Sequence, residues 1–302
     1  MNSNSKIQAG NAIGLITPSS PLFPGRLEAS IKYFEDKGYK VKVGKHNKKA
    51  DRFLAGTDCE RAEDIMDFFA DEDVKALIVT GGGAGSIRTL PYLDYQIIKD
   101  NPKPIIGFSD TTSLQLGIYH KTGNLSYTGF TCRDVAEKEV LDPVIESSLD
   151  HCFCRTNYSI TQGETVNPGL VTAPLLGGNL ACLVNLLGTP YAPSFKERIF
   201  LFEEVWLEPY VIDGLLSQLW LAGVFDQVAG IVIGNFTRCD SRVYPELDGT
   251  IDDLINDWIS KIKVPCIKQF PYGHSDSRNV LPLGQTVTLD ATNCKLDIIF
   301  DD

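Results

Sequence analysis

Between Ala12 and His120, short apolar runs alternate with helical patterns, and this alternation limits the fold more than any other feature of the chain. Ala12 to Thr17, Tyr39 to Val43, Val74 to Val79 and Pro104 to Ile106 read as strands. Arg26 to Lys37, Asp58 to Phe69 and Thr111 to His120 read as helices, the second with Ile65, Phe68 and Phe69 on one face. Strands this apolar are satisfied only when both faces of their sheet are covered, which points to an open, mainly parallel sheet flanked by helices. An N-terminal α/β domain is therefore expected over residues 1–133. Residues 134–169 mix charge runs such as Glu137-Lys138-Glu139 with polar turns and have weak periodicity, so a connecting segment is expected there. Short strands near Phe200 to Glu203 and Gly230 to Ile233, a helix over Asp213 to Ala222, and closing strands at Thr286 to Leu289 and Leu296 to Phe300 predict a mixed α/β, β-rich C-terminal domain over 170–302. A length of 302 residues accommodates two such domains.

Charge narrows the function. A formal net charge of -11 sets a repulsive average field against nucleic acid and anionic membranes, so a small soluble substrate is the expectation. The segment Met1 to Gln8 has no apolar signal core, and the most apolar stretch, Leu175 to Leu187, is interrupted by Gly177, Gly178, Asn179 and Asn185. Eight scattered cysteines without a C-x-x-C pair fit reduced thiols in a cytoplasm. His151-Cys152-Phe153-Cys154 supplies too few ligands for a metal, and neither metal nor cofactor is expected.

Three segments carry chemically capable residues. Gly107-Phe108-Ser109-Asp110-Thr111-Thr112 places a serine between a strand and a helix, where a tight turn exposes a nucleophile beside free helix-start N–H groups. Thr111 stands where a G-x-S-x-G turn has its second glycine, and Ser109 as a helix cap with Asp110 as first-turn charge is the competing reading. Gly81-Gly82-Gly83-Ala84-Gly85 follows the strand Val74 to Val79 and offers bare N–H groups to an oxyanion or a phosphate, or forms a structural turn. It lacks the spacing of a dinucleotide or P-loop motif. Glu203 and Glu204 end an apolar strand, either as solvated charges or as a buried partner for a histidine. Of four histidines, His274 alone lies in a rigid turn-like segment, Phe270-Pro271-Tyr272-Gly273-His274. Ser109, Glu203 and His274 together provide a nucleophile, an orienting acid and a base.

Eight short motifs in order resemble the LD-carboxypeptidase family of serine peptidases, which includes the microcin-immunity hydrolases. They are Phe53-Leu54-Ala55-Gly56-Thr57-Asp58, the glycine loop with Arg88 to Asp94, Gly107 to Asp110, Leu176 to Leu180, Leu187 to Pro190, the Glu203 strand, Tyr210 to Asp213, and Pro271 to His274. The resemblance spans Ala12 to about Leu289. It implies Ser109 as nucleophile, Glu203 as acid, His274 as base, the N–H groups of Asp110 and Gly83 as oxyanion hole, and Asn179 as a substrate contact. It further implies removal of terminal D-alanine from a muropeptide tetrapeptide in cell-wall recycling by a cytoplasmic homodimer. A microcin-immunity-type hydrolysis of a peptidyl-nucleotide or another modified peptide amide is the alternative, and a non-catalytic ligand-binding protein is a third reading. Where carboxypeptidase members often have Arg-Gly-Gly-Tyr-Gly, this chain has Gly81 to Gly85, without the cation and the ring. Tyr127-Thr128-Gly129-Phe130 stands where many members have His-Gly-Pro, and Glu204 replaces the usual aspartate.

Overall fold

The computed structural model describes residues 6–137 and 140–300, so the reading of Met1 to Ser5 and the Lys138-Glu139 part of the charge run lie outside the described residues. In chain order the strands are β1 (Ala12–Ile16), β2 (Lys40–Val43), β3 (Val74–Val79), β4 (Ile105–Gly107), β5 (Ser126–Thr128), β6 (Tyr158–Thr161), β7 (Glu164–Asn167), β8 (Leu170–Asn179), β9 (Ile199–Val205), β10 (Gly230–Thr237), β11 (Cys266–Lys268), β12 (Leu281–Leu283), β13 (Thr286–Asp290) and β14 (Lys295–Ile298). They form one six-stranded and one eight-stranded sheet, each in its own compact unit.

The first unit comprises Met1–Thr156, Leu186–Pro193 and Asn279–Gly284. Its sheet runs β12-β5-β4-β3-β1-β2, with β1 to β5 parallel and β12 antiparallel on the β5 edge. β1 is buried along its length and β3 nearly so, as expected for inner strands covered on both faces. The edge strand β2, Lys-Val-Lys-Val, is partly exposed, and its lysines discourage pairing with another chain. The helix Asp58–Ala70 is started by a capping box between Thr57 and Glu60 and buries Ala62, Ile65, Phe68 and Phe69. The order 2-1-3-4-5 is doubly wound, and its direction reverses between β1 and β3. In such sheets ligands lie outside the carboxyl ends of the strands at that reversal, where the loops after β1 and β3 part to leave a crevice.

The second unit comprises Asn157–Asn185, Ser194–Arg278 and Gln285–Asp302. Its sheet runs β6-β14-β13-β8-β9-β10-β11-β7, parallel from β8 to β11 and antiparallel on both flanks. Phe195, Phe200 and Phe225 pack ring against ring over β9.

The segment 134–169 differs in detail from the expected connection, since it holds the helix Pro143–Cys154 and the strands β6 and β7. The helix belongs to the first unit and both strands to the second, with the chain passing between units at Thr156 and Asn157. Asp142 caps this helix by accepting hydrogen bonds from the N–H groups of Val144 and Ile145, and Ile145, Leu149, Cys152 and Phe153 form its buried face. Short, mutually distant strand partners explain the weak periodicity: β6 pairs with β14, and β7 with β11.

Candidate active site

In the first unit, Ser109 sits two residues beyond the end of β4 with φ +65°, a left-handed backbone that a serine adopts at a conformational cost. The short 3-10 turn Ser109–Thr111 leads into the helix Thr112–Thr122, one residue later than expected. Phe108 before it is extended, so the chain reverses sharply at the serine, which is the geometry of a nucleophile elbow. Gly82 lies against this side chain: a Cβ added there would stand 3.0 Å from Ser109 Cβ and 3.3 Å from its Oγ. The glycine loop after β3 therefore brings bare backbone alongside the serine, as a pocket for an oxyanion needs.

The loop after β1 completes the arrangement. Ser20 Oγ accepts a hydrogen bond from Ala84 N at 3.1 Å, and Ser20 N donates to Gly82 O at 3.4 Å. Gly83 has φ +112°. Arg61, buried on the helix Asp58–Ala70, donates to the carbonyls of Pro18 and Gly85 and pairs with Asp58, which also pairs with Arg88. Ser19, Ser20, Ser86 and the Asp110 carboxylate were not singled out for these contacts from sequence. The available signal was the position of Pro18-Ser19-Ser20-Pro21 directly after β1 in a doubly wound order.

In the second unit, Glu203 is fully buried on β9, and its Oε2 lies 2.7 Å from His274 Nδ1. The β8–β9 register sets Asn179 directly beside Glu203, and Asn179 Nδ2 donates to Glu203 Oε1 at 3.3 Å and to Glu204 Oε1 at 2.9 Å. Asn179 is itself buried and caps the helix Leu180–Val184 by accepting from Cys182 N. Glu204 also accepts from the N–H groups of Ala181 (2.9 Å) and Val205 (2.8 Å). Burial pushes the Glu204 carboxyl above the usual carboxylate range, and the neighbouring Glu203 adds to the rise against these hydrogen bonds.

Opposite Glu203, β10 is irregular between Ile233 and Phe236. That bulge admits the segment Phe270 to His274, with Phe270 N donating to Ile233 O at 3.0 Å and Asn235 N donating to Tyr272 O at 2.8 Å. Gly273, at φ +131°, then brings the backbone so close that a Cβ would lie 3.2 Å from both Cβ and Oε2 of Glu203. His274 keeps about a fifth of its side chain exposed (21%) while Nδ1 is fixed by the carboxylate. An imidazole held in this way presents Nε2 as a proton acceptor, and the buried charge steadies the imidazolium once formed.

Among the described residues, no group of three or more His, Cys, Asp and Glu is placed to hold a metal ion. Cys152 is buried and Cys154 exposed on their helix, and His151 Nδ1 lies 2.7 Å from Thr156 Oγ1. All eight cysteines are free thiols, and among the described residues no helix is long and apolar enough to cross a membrane.

Family models for the LD-carboxypeptidase N-terminal domain and the LD-carboxypeptidase C-terminal domain match residues 13–129 and 172–289. A Bacillus subtilis protein described as a probable murein peptide carboxypeptidase is 30% identical over 289 residues, covering 94% of this chain and 90% of the relative. The microcin C7 self-immunity protein MccF of Escherichia coli is 28% identical over 331 residues, covering 97% and 94%. Among solved structures, the muramoyltetrapeptide carboxypeptidase from Oxalobacter formigenes is similar with a TM-score of 0.87 at 25% identity, covering 96% of this chain and 99% of the other.

Proposed function

This chain belongs to the LD-carboxypeptidase family of serine peptidases, and from that premise we propose that it releases terminal D-alanine from muropeptide tetrapeptides through Ser109, His274 and Glu203. The observation that carries the reading is the 2.7 Å bond between His274 Nδ1 and the fully buried Glu203 carboxylate, with Asn179 donating to the other oxygen. A surface histidine has no need of a buried, doubly bonded anion. The strained elbow at Ser109 supports the nucleophile assignment independently.

In this mechanism His274 Nε2 takes the Ser109 hydroxyl proton as Oγ bonds to the peptide carbonyl carbon, and the carbonyl electrons move onto oxygen. The resulting oxyanion is held by the N–H groups of Asp110 and Gly83. Collapse breaks the C–N bond, and His274 returns its proton to the leaving amine of D-alanine. A water molecule then gives a proton to His274 and attacks the acyl carbon, and Ser109 recovers the proton as the ester breaks. Asn179 acts here as a positioning residue for the two carboxylates, since its buried amide is directed at them. The acidic chain, with net charge -11, suits a small freed muropeptide in a cytoplasm better than the anionic wall, which supports a role in wall recycling; the homodimer is proposed from the family resemblance alone. Purified protein incubated with a murein tetrapeptide is expected to release D-alanine, and Ser109→Ala to abolish release. Equal rates in parent and variant would defeat the assignment.

A second reading keeps these residues and changes the substrate to a peptidyl-nucleotide or another modified peptide amide. The likeness to MccF and a glycine loop without the arginine and tyrosine of many carboxypeptidase members favour it. Turnover of both substrates by one preparation separates the two.

A further inference from the structure

We propose that the Asp110 carboxylate is a positioning residue for the oxyanion pocket, acting through the glycine loop in addition to the N–H that its backbone presents. The inference rests on the serine-peptidase reading and extends it to a side chain given no role there. Asp110 is 7% exposed, directly after the nucleophile, and its carboxylate takes three donors from two other loops. Oδ2 accepts from Ser19 Oγ at 2.6 Å and from Ser86 N at 2.8 Å, and Oδ1 accepts from Gly85 N at 3.1 Å. Its main-chain carbonyl accepts from Ser86 Oγ at 2.7 Å. One anion thus ties the loop after β1 and the loop after β3 to the turn after β4.

Arg61 grips the same two loops with the opposite polarity, through the carbonyls of Pro18 and Gly85. The cation takes the carbonyl groups and the anion takes the N–H and O–H groups, so each loop is held from both sides. A run of glycines has unusually large backbone freedom, and donors serve a developing oxyanion only if they are fixed before the reaction begins. Charge-assisted hydrogen bonds to Gly85 and Ser86 supply that fixation immediately after Gly82 and Gly83, where the loop lies against Ser109. A carboxylate is needed because all three partners of its oxygens, the Ser19 hydroxyl and the N–H groups of Gly85 and Ser86, donate.

Asp110→Asn keeps the shape and removes this property: in either amide orientation an NH2 group faces at least one backbone N–H, although the Ser19 hydroxyl can rotate. The expected result is a fall in kcat of about 10- to 100-fold with KM changed less than about threefold, since pocket alignment matters most in the transition state. Affinity for a peptide boronic acid that forms a tetrahedral adduct on Ser109 should fall by the same factor as kcat, which a general loss of folded protein would not produce. Ser19→Ala, which deletes one donor without leaving another unpaired, should lower kcat by a smaller factor of about three to ten. It serves as the deciding variant if Asp110→Asn does not fold.

Turnover and boronate affinity of the folded variant within about twofold of the parent would overturn the proposal, as would an equal rise in KM accounting for the whole loss. Failure of a fluorophosphonate to label the parent at Ser109 would defeat the serine-peptidase reading and this inference with it. A labelled parent and an equally labelled Asp110→Asn variant would defeat this inference alone.

Discussion

Glu203→Gln is the most informative single substitution, because each carboxylate oxygen has a named partner. Glu203 Oε2 faces His274 Nδ1 at 2.7 Å and Oε1 faces Asn179 Nδ2 at 3.3 Å. Glutamine fits the same space but must choose an orientation. With its NH2 toward His274, Nδ1 must become an acceptor, the ring proton moves to Nε2, and the histidine loses the lone pair that the proposed mechanism uses to take the serine proton. With its NH2 toward Asn179, two amide donors oppose each other in a buried site, at a cost of about 1–3 kcal/mol. Either orientation also removes the anion proposed to steady the imidazolium. At a charge separation near 4 Å and an effective dielectric near 20, that anion contributes about 4 kcal/mol, or roughly a thousandfold in rate. The 21% exposure of His274 screens part of this, and the tautomer change adds to it, so kcat is expected to fall by about 10² to 10⁴ with KM little altered. The assay is D-alanine release together with the pH dependence of Ser109 labelling by a fluorophosphonate. A Glu203→Gln protein that is folded and retains kcat within about tenfold of the parent would refute the argument.

Gly273→Ala should destabilise the second unit by about 1–3 kcal/mol, because a side chain at φ +131° is strained and its Cβ would press on Glu203. Urea unfolding reads the stability, and activity should fall further than the folded fraction, as the same atom displaces the acid from His274. Lys103 reports on the first unit: burial lowers its ammonium from 10.5 to about 8, while Nζ donates to the carbonyls of Phe68 (2.8 Å) and Asp71 at the end of the helix Asp58–Ala70. Below about 8 the folded chain bears the cost of a buried cation, whereas between about 8 and 10.5 the unfolded chain retains a proton that the folded chain has released. This group therefore makes stability rise with pH across that window. Lys103→Met should flatten the rise in thermal midpoint across that window, because methionine neither titrates nor buries a charge.

Much of the fold was legible because neighbouring residues encode it. β3 was expected at Val74 to Val79 and occurs there, since an unbroken apolar run between polar turns has few other stable conformations. The helix from Asp58 was equally clear from its apolar face. The helix Pro143–Cys154 was missed inside a segment of mixed charge, where its buried face is defined by the unit it packs on. Pairing of β12 with β5 was also outside the reach of local pattern, because three residues far along the chain close the edge of a sheet begun at Ala12.

The sequence by itself determined the alternation that makes the first sheet parallel, the acidic character of the chain, and the residue types able to act as nucleophile, acid and base. These are properties of short windows and of individual side chains. Tertiary structure alone decided that Glu203 is buried against His274, 71 residues away, and that Asn179 lies beside it by strand register. It also decided that Asp110 meets Ser19 across 91 residues. The physical reason is that burial, carboxylate desolvation and hydrogen-bond partners arise from chain segments brought together by packing, so the same glutamate or aspartate is a solvated charge until the sheet closes around it.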